Sequence, residues 1–161
     1  MSADGTQQGA EPERHRLARL MKGKRFELKV DSKLESLPIV SDSIAKMMKG
    51  IGAGERSIFE VQMAVDEACT NIIKHAYSEE KGTITLICEL VNDELTVAIR
   101  DRGKPFDPSS VPRPDFHADL DKRRIGGLGI YLMRRMMDEV SYSCDAQRGN
   151  ELTMRKKLVK L

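Results

Sequence analysis

The stretch "VDEACTNIIKHAYSEEKG", residues 65–82, begins inside a long segment in which apolar residues recur every three or four positions. This period predicts one amphipathic helix over residues 57–77. Glu67, Asn71 and Lys74 would lie roughly 100–160° from the centre of its apolar face, with His75 at the border of that face. The members of the apolar face are Ile58, Val61, Val65, Ala68, Ile72 and Ala76. The polar side is either ordinary solvated surface or the floor of a binding site.

The segments around this helix predict a two-layer α+β sandwich. Alternating apolar residues predict strands, and Asn92–Asp93 and Gly149–Asn150 are typical turn pairs between strands. The order β-α-α-β-β-loop-α-β-β predicts a mixed, mainly antiparallel sheet with about three helices on one face. The predicted strands are 25–32, 82–91, 94–101, 140–145 and 151–158, and the other predicted helices are 36–52 and 126–140.

Composition excludes several classes of protein. The chain has 161 residues and a net charge of +2 from 27 basic and 25 acidic side chains, so it gives no global argument for nucleic-acid binding. No apolar run approaches the ~20 residues that a membrane span needs, and the N-terminus has no signal-peptide core. Three widely spaced cysteines, Cys69, Cys88 and Cys144, predict reduced, buried thiols in a cytoplasmic protein.

Two segments are predicted to lack regular structure. Residues 1–22 are polar and aperiodic, which predicts a flexible tail ahead of one domain over residues 23–161. Residues 102–125 contain four prolines and no clear period. A loop this long inside a compact domain is usually functional, and we expect it to act as a lid.

Two further motifs follow the helix in the chain. "DRGKPF", residues 101–106, stands where a strand stops. There Asp101 can accept a hydrogen bond from a ligand amine, and Gly103 lets backbone approach closely. "GGLGIYL", residues 126–132, leads into a helix, and such glycines offer free N–H groups and the positive end of the helix dipole to a phosphate. Each motif alone is weak evidence for a ligand site, since an ordinary strand-end turn or a flexible hinge can have the same sequence.

Together, the three motifs resemble the N, G1 and G2 boxes of the gyrase–histidine kinase ATPase superfamily. The boxes are Glu67-x-x-x-Asn71 with the following His-Ala-Tyr, Asp101-x-Gly103, and the glycines of 126–130. Within that superfamily, "DEACTNIIKHAY" is most similar to the bacterial anti-sigma factors that are serine-protein kinases. The resemblance covers about residues 26–158 and implies the two-layer α/β fold of those ATPases.

The resemblance also implies roles for individual residues. Asn71 would bind ATP and ligate Mg²⁺, Asp101 would take the adenine amino group, and Gly103 would give the base room. Gly127 and Gly129 would line the phosphate site, and Leu128 between them would also bind ATP. Glu67 would be the catalytic base that deprotonates a protein serine. Lys74 and Arg124 are basic and could reach the phosphates, but neither belongs to a motif that fixes its position.

The function implied by the resemblance is an ATP-dependent anti-sigma factor. Such a protein binds a sigma factor and phosphorylates a serine of an anti-anti-sigma antagonist. The family also implies a homodimer, which the apolar Phe59 and Met63 outside the main stripe would allow. The alternative is a nucleotide-dependent binding switch of the same fold without kinase activity. A third possibility, ATP hydrolysis that drives the protein's own conformational change, is weaker for a chain this short.

Overall fold

The structure is a computed structural model and describes residues 25–77, 81–107, 110, 112 and 127–158. The described residues form a five-stranded sheet and three α-helices. The predicted tail, Gly126, Arg124 and most of the predicted lid lie outside these ranges. Within the described part, no helix is long and apolar enough to cross a membrane.

The elements follow one another in the predicted order. The strands are β1 (Arg25–Asp31), β2 (Thr83–Val91), β3 (Glu94–Asp101), β4 (Glu139–Asp145) and β5 (Gly149–Lys157). The helices are α1 (Leu37–Gly50), α2 (Glu55–Asn71) and α3 (Gly127–Met136). A 3₁₀ turn (Leu34–Ser36) precedes α1, and a π-helical turn (Ile72–Ala76) continues α2.

The sheet order is β1-β2-β3-β5-β4, and each neighbouring pair is antiparallel. The predicted fold class is therefore confirmed, although the sheet is more regular than the mixed sheet that we expected. The strands β3 and β4 run in the same direction because the chain crosses over between them. The strand β5 lies between those two, so the described strands form no parallel pair.

One row of apolar side chains crosses all five strands and supports the helices. Leu28 pairs with Leu86, Leu86 with Ile99, and Ile99 with Leu152, which faces Tyr142 on the edge strand. The predicted inward residues of α2 pack on this face of the sheet. Among the fully buried core side chains are Ile44, Met48, Val61, Val65, Leu86, Ile99, Met133 and Met154.

A largely buried ion pair holds α2 and α3 together at their shared end. Lys156 Nζ lies 2.7 Å from a carboxylate oxygen of Glu60 and donates to the carbonyl oxygen of Met136, also at 2.7 Å. Met136 is the last residue of α3, where a positive charge is favoured by the helix dipole. The strand β5 thereby fixes both helices, and with them the residues on their opposite ends.

Both predicted hairpins form, but one turn is placed differently. Asn92 and Asp93 have positive φ angles of 49° and 65°, as a two-residue turn requires. The prediction of a turn at Gly149–Asn150 was wrong, because both residues belong to β5. The turn before them is organised by Asp145, whose Oδ1 accepts the backbone N–H groups of Gln147 and Arg148 at 2.6 and 3.1 Å. These two hydrogen bonds lower the pKa of Asp145.

One helix boundary and one cysteine also differ from expectation. The helix predicted over 126–140 ends at Met136, since the Asp138 N–H already donates to the carbonyl of Arg155 in β5 at 2.9 Å. Burial raises the pKa of the thiols of Cys69 and Cys88 to about 12, as expected of inert core cysteines. Cys144 is exposed, so its predicted burial was wrong; it lies at the end of the edge strand β4.

Candidate functional site

Asn71 and Asp101 line the same pocket, although they are thirty positions apart in the sequence. The pocket lies between the end of α2, the end of β3 and the side of α3. It has a volume of about 400 Å³, counting its open mouth. Its apolar wall consists of Ala68, Ile72, Ala76, Met133 and Leu152. A mostly apolar cleft with a few polar groups is typical of a site for a small molecule or cofactor.

Asn71 is placed by the change of helix type at the end of α2. It is the last α-helical residue, and the chain continues in a π-helical turn through Ala76. Short π segments inside helices are frequent at functional sites because they redirect side chains. The end of the turn is anchored, since the carbonyl oxygen of Ala76 accepts the N–H of Lys104 at 2.8 Å.

Asp101 belongs to a closed hydrogen-bond network at the end of β3. Its Oδ1 accepts the N–H of Gly103 and the Nδ2 of Asn150, both at 2.9 Å. The same Nδ2 donates to the carbonyl oxygen of Gly103 at 2.9 Å. Asp101 is only 8% exposed and Asn150 only 3%, so the buried carboxylate is matched by donors that the fold supplies.

Gly103 is required by the end of the second helix. A Cβ added there would lie 2.5 Å from the carbonyl oxygen of Ala76 and 2.7 Å from its Cβ. Those are backbone and near-backbone atoms that cannot move aside. The sequence argument for a close backbone approach therefore has a physical basis, and the group approached in the structure is the π-helical turn.

Glu67 does not lie on an ordinary solvated face, because its carboxylate contacts α3. A Cβ added at Gly129 would overlap Glu67 Oε2, so the carboxylate packs directly on the first turn of that helix. Burial raises the pKa of Glu67, the negative charge of Asp66 raises it further, and the Lys74 ammonium lowers it. A carboxylate of this kind is a stronger base than an ordinary surface glutamate.

The other predicted residues of the third motif begin the same helix. Gly127 is the first residue of α3, and Leu128 is 49% exposed beside it. The three predicted ATP-binding residues of this motif thus stand in the first turn, where N–H groups have no partner within the helix. Glu67 meets this turn from α2, one helical turn before Asn71.

Two tyrosines hold the loops around the pocket, and sequence reasoning missed one of them. The hydroxyl of Tyr142 accepts the N–H of Phe106 at 2.9 Å, and the Phe106 ring stacks on His75 with centroids 5.5 Å apart. The hydroxyl of Tyr77 accepts the N–H of Arg102 at 2.6 Å. Tyr77 follows from the His-Ala-Tyr motif, whereas only the alternation along β4 indicates that Tyr142 faces the pocket side.

The pocket offers few protein oxygens, which suits a metal ion whose other ligands are phosphates and water. Among the described residues, no three His, Cys, Asp or Glu side chains cluster as metal ligands. Asn71 offers one amide oxygen at the pocket, with the Glu67 carboxylate one turn earlier. Mg²⁺ commonly takes one or two protein oxygens and completes its shell with phosphates and water, so the residues fit such an ion.

The fold is a two-layer α/β sandwich in which a strand-end aspartate and a helix asparagine line one pocket. Residues 30–156 match the family of the histidine kinase-like ATPase domain. The chain belongs to that family.

Relatives of known name refine this assignment. The chain is 31% identical over 125 residues to the serine-protein kinase RsbW of Bacillus cereus strain ATCC 10987, covering 75% of this chain and 78% of that protein. It is 30% identical over 128 residues to the serine-protein kinase RsbW of Bacillus mycoides strain KBAB4, covering 77% and 80% of the two chains.

A solved structure shares the fold. The RsbU and RsbW domains of Rv1364c from Mycobacterium tuberculosis match with a TM-score of 0.62 and 18% identity. The match covers 84% of this chain and 32% of that longer one. At this identity the likeness concerns the fold alone.

Proposed function

We propose that the chain is an ATP-dependent serine-protein kinase that acts as an anti-sigma factor. It binds a sigma factor and phosphorylates a serine of an anti-anti-sigma protein, and this transfer controls which partner is held. One observation carries the proposal. Asn71 and Asp101 line one pocket, while Glu67, one turn before Asn71, reaches the first turn of α3.

Two different parts of the site would bind the two ends of ATP, the pocket at one end and the first turn of α3 at the other. The apolar wall accepts the adenine ring, and the Asp101 carboxylate accepts a hydrogen bond from its amino group. At the other end, Gly127, Leu128 and Gly129 present N–H groups and the positive helix end to the phosphates. Asn71 lies between these two regions and would hold Mg²⁺, which neutralises phosphate charge when bound.

Glu67 has the chemistry of the general base. In the reaction, the serine Oγ forms a bond to the γ-phosphorus, the bond from that phosphorus to the bridging oxygen breaks, and ADP leaves. The hydroxyl proton goes to Glu67. A raised pKa makes the carboxylate a better proton acceptor once it is ionised, and its contact with the first turn of α3 supports a role beside the proposed phosphate site.

The assembly and location of the protein are further parts of the proposal. We propose a homodimer in the cytoplasm, where a sigma factor would be met. Phe59 supports a contact surface on α2, because this large apolar side chain is 55% exposed.

The test is phosphate transfer from labelled ATP to a purified antagonist domain. We expect Glu67→Gln to bind ATP–Mg²⁺ and the sigma partner but to lose transfer by roughly 10²–10⁴-fold, as is typical when a general base is removed. The matched control is Glu55→Gln, the same change at an exposed position on the same helix. If the wild-type protein transfers nothing to any antagonist that it binds, the chain is a binding switch without kinase activity.

A further inference from the structure

Asn150 is the one side chain in the Asp101 network to which the three sequence motifs assign no role. It is 3% exposed, lies on β5 directly opposite Asp101 of β3, and follows it by 49 positions in the chain. Its amide group donates to two acceptors at once, the Asp101 carboxylate and the Gly103 carbonyl. Only the NH₂ side of an amide can satisfy two acceptors, so the chemistry fixes which way the amide points.

The network uses the two carboxylate oxygens of Asp101 unequally. The N–H of Gly103 and the Nδ2 of Asn150 both reach Oδ1, each at 2.9 Å. Two such bonds from different directions hold the carboxylate plane in one orientation. Asp101 lines the pocket, and Oδ2, which takes neither of these two bonds, is the atom that would meet a ligand.

We propose that Asn150 is a positioning residue that makes the pocket selective for a purine with an amino group at position 6. This inference rests on the proposed function, in which Asp101 takes the amino group of adenine. The held carboxylate is an acceptor only. A 6-amino group donates to it, whereas the 6-oxo group of hypoxanthine or guanine places a second acceptor against it and loses the bond.

The same amide also sets where the carboxylate stands. By bonding the carbonyl of Gly103, Asn150 fixes the loop whose N–H is the other donor to Asp101. Without the amide, Oδ1 keeps one donor and the carboxylate is free to turn. The 6-amino group then loses its aligned acceptor, which weakens the binding of adenine. The 6-oxo group is no longer held against a fixed carboxylate, so the penalty for hypoxanthine becomes smaller.

The experiment measures binding of ATP and of ITP, which differ at position 6, to the full chain with Mg²⁺ by calorimetry. The variants are Asn150→Leu, similar in size without a donor, and Asn150→Ser, smaller with a single donor. We expect the ratio of ATP to ITP affinity to fall by at least about tenfold in Asn150→Leu and by less in Asn150→Ser. The control is Glu151→Gln on the opposite face of the same strand, which should keep the wild-type ratio.

The ratio separates positioning from packing, because a structural defect weakens both nucleotides together. If both variants bind ATP and ITP in the wild-type ratio, the inference is wrong and the proposed function stands. If wild-type protein itself does not prefer ATP to ITP, the adenine assignment of Asp101 fails first. If Asn150→Leu does not fold, Asn150→Ser alone decides, and a wild-type ratio in it overturns the inference.

Discussion

The carboxylate of Glu67 rests on Gly129, so that a residue of α2 occupies the space that a side chain at the start of α3 would fill. The two positions are 62 residues apart in the sequence. Their contact joins the first predicted motif to the third. It also means that the predicted base and the predicted phosphate site depend on each other's position.

Gly129→Ala tests this contact. The added methyl would overlap the Glu67 carboxylate, so either the carboxylate or the first turn of α3 must move. We expect phosphate transfer to fall by roughly 10²-fold, a typical cost of misplacing a catalytic group. The overlap destabilises the fold, but Ala favours a helix over Gly by about 1 kcal/mol. Because the two effects oppose each other, thermal stability should change little. Arg134→Ala, exposed on the same helix, should transfer normally; equal rates in the two variants would contradict the prediction.

The transfer rate should depend on pH through Glu67. Because its pKa is raised, chiefly by burial, transfer should fall on acidification with a midpoint above the ordinary glutamate value of about 4.3. Asp66→Asn removes a neighbouring negative charge that raises this pKa, so the midpoint should move down. Rate–pH profiles of both proteins with the same nucleotide provide the measurement, and coincident midpoints would exclude Glu67 as the titrating base.

Glu67→Gln should increase thermal stability at neutral pH. A raised pKa means that the native state holds its proton more tightly than the unfolded chain does. Stability is therefore lost as pH rises from the ordinary glutamate pKa through the raised one, and the loss persists above it. Glutamine carries no charge and avoids that loss. The measurement is the melting temperature of the wild-type protein and of Glu67→Gln, at neutral pH and below pH ~4. The difference between the two proteins should be largest at neutral pH. A variant that is less stable than wild type there would show that the ionised carboxylate stabilises the fold.

Asn71→Ala should remove most of the gain in ATP affinity that Mg²⁺ provides. The amide oxygen is the residue's only acceptor on its side chain, and it stands at the pocket. Calorimetry with Mg²⁺ and with a chelator gives the gain for each protein. Wild-type affinity that is the same in both conditions would contradict a metal role for Asn71.

Much of this fold could be predicted because its signals are local. The period of α2, the helix predicted over 36–52 and the Asn92–Asp93 turn each depend on neighbours within a few positions. Asp101 and Asn150 meet only because β5 pairs with β3, which is not the strand directly before it in the chain. No local sequence pattern predicts the register of this pairing. The sequence therefore predicted Asn150, a buried polar residue, as part of a turn.

Tyr142 was missed for a related reason. Its hydroxyl bonds the backbone of Phe106, and the two residues meet across an edge strand and a loop. Gly103 shows the converse, since the sequence identified the residue but not its neighbour. The backbone that it approaches is that of Ala76, at the end of a π-helical turn that helical periodicity does not distinguish from the α-helix before it.

The interior position of β5 in the sheet has a consequence for synthesis on the ribosome. This strand is the last to be made among those described, yet it joins β3 to β4, supplies Asn150 to Asp101, and supplies Lys156 to both helices that carry the site. While β5 is still inside the ribosome, the nascent chain already contains all three sequence motifs. Its sheet is incomplete, however, because β3 and β4 are not yet joined. Nucleotide binding should therefore begin only after translation has passed this strand, so that a prematurely terminated chain cannot hold ATP.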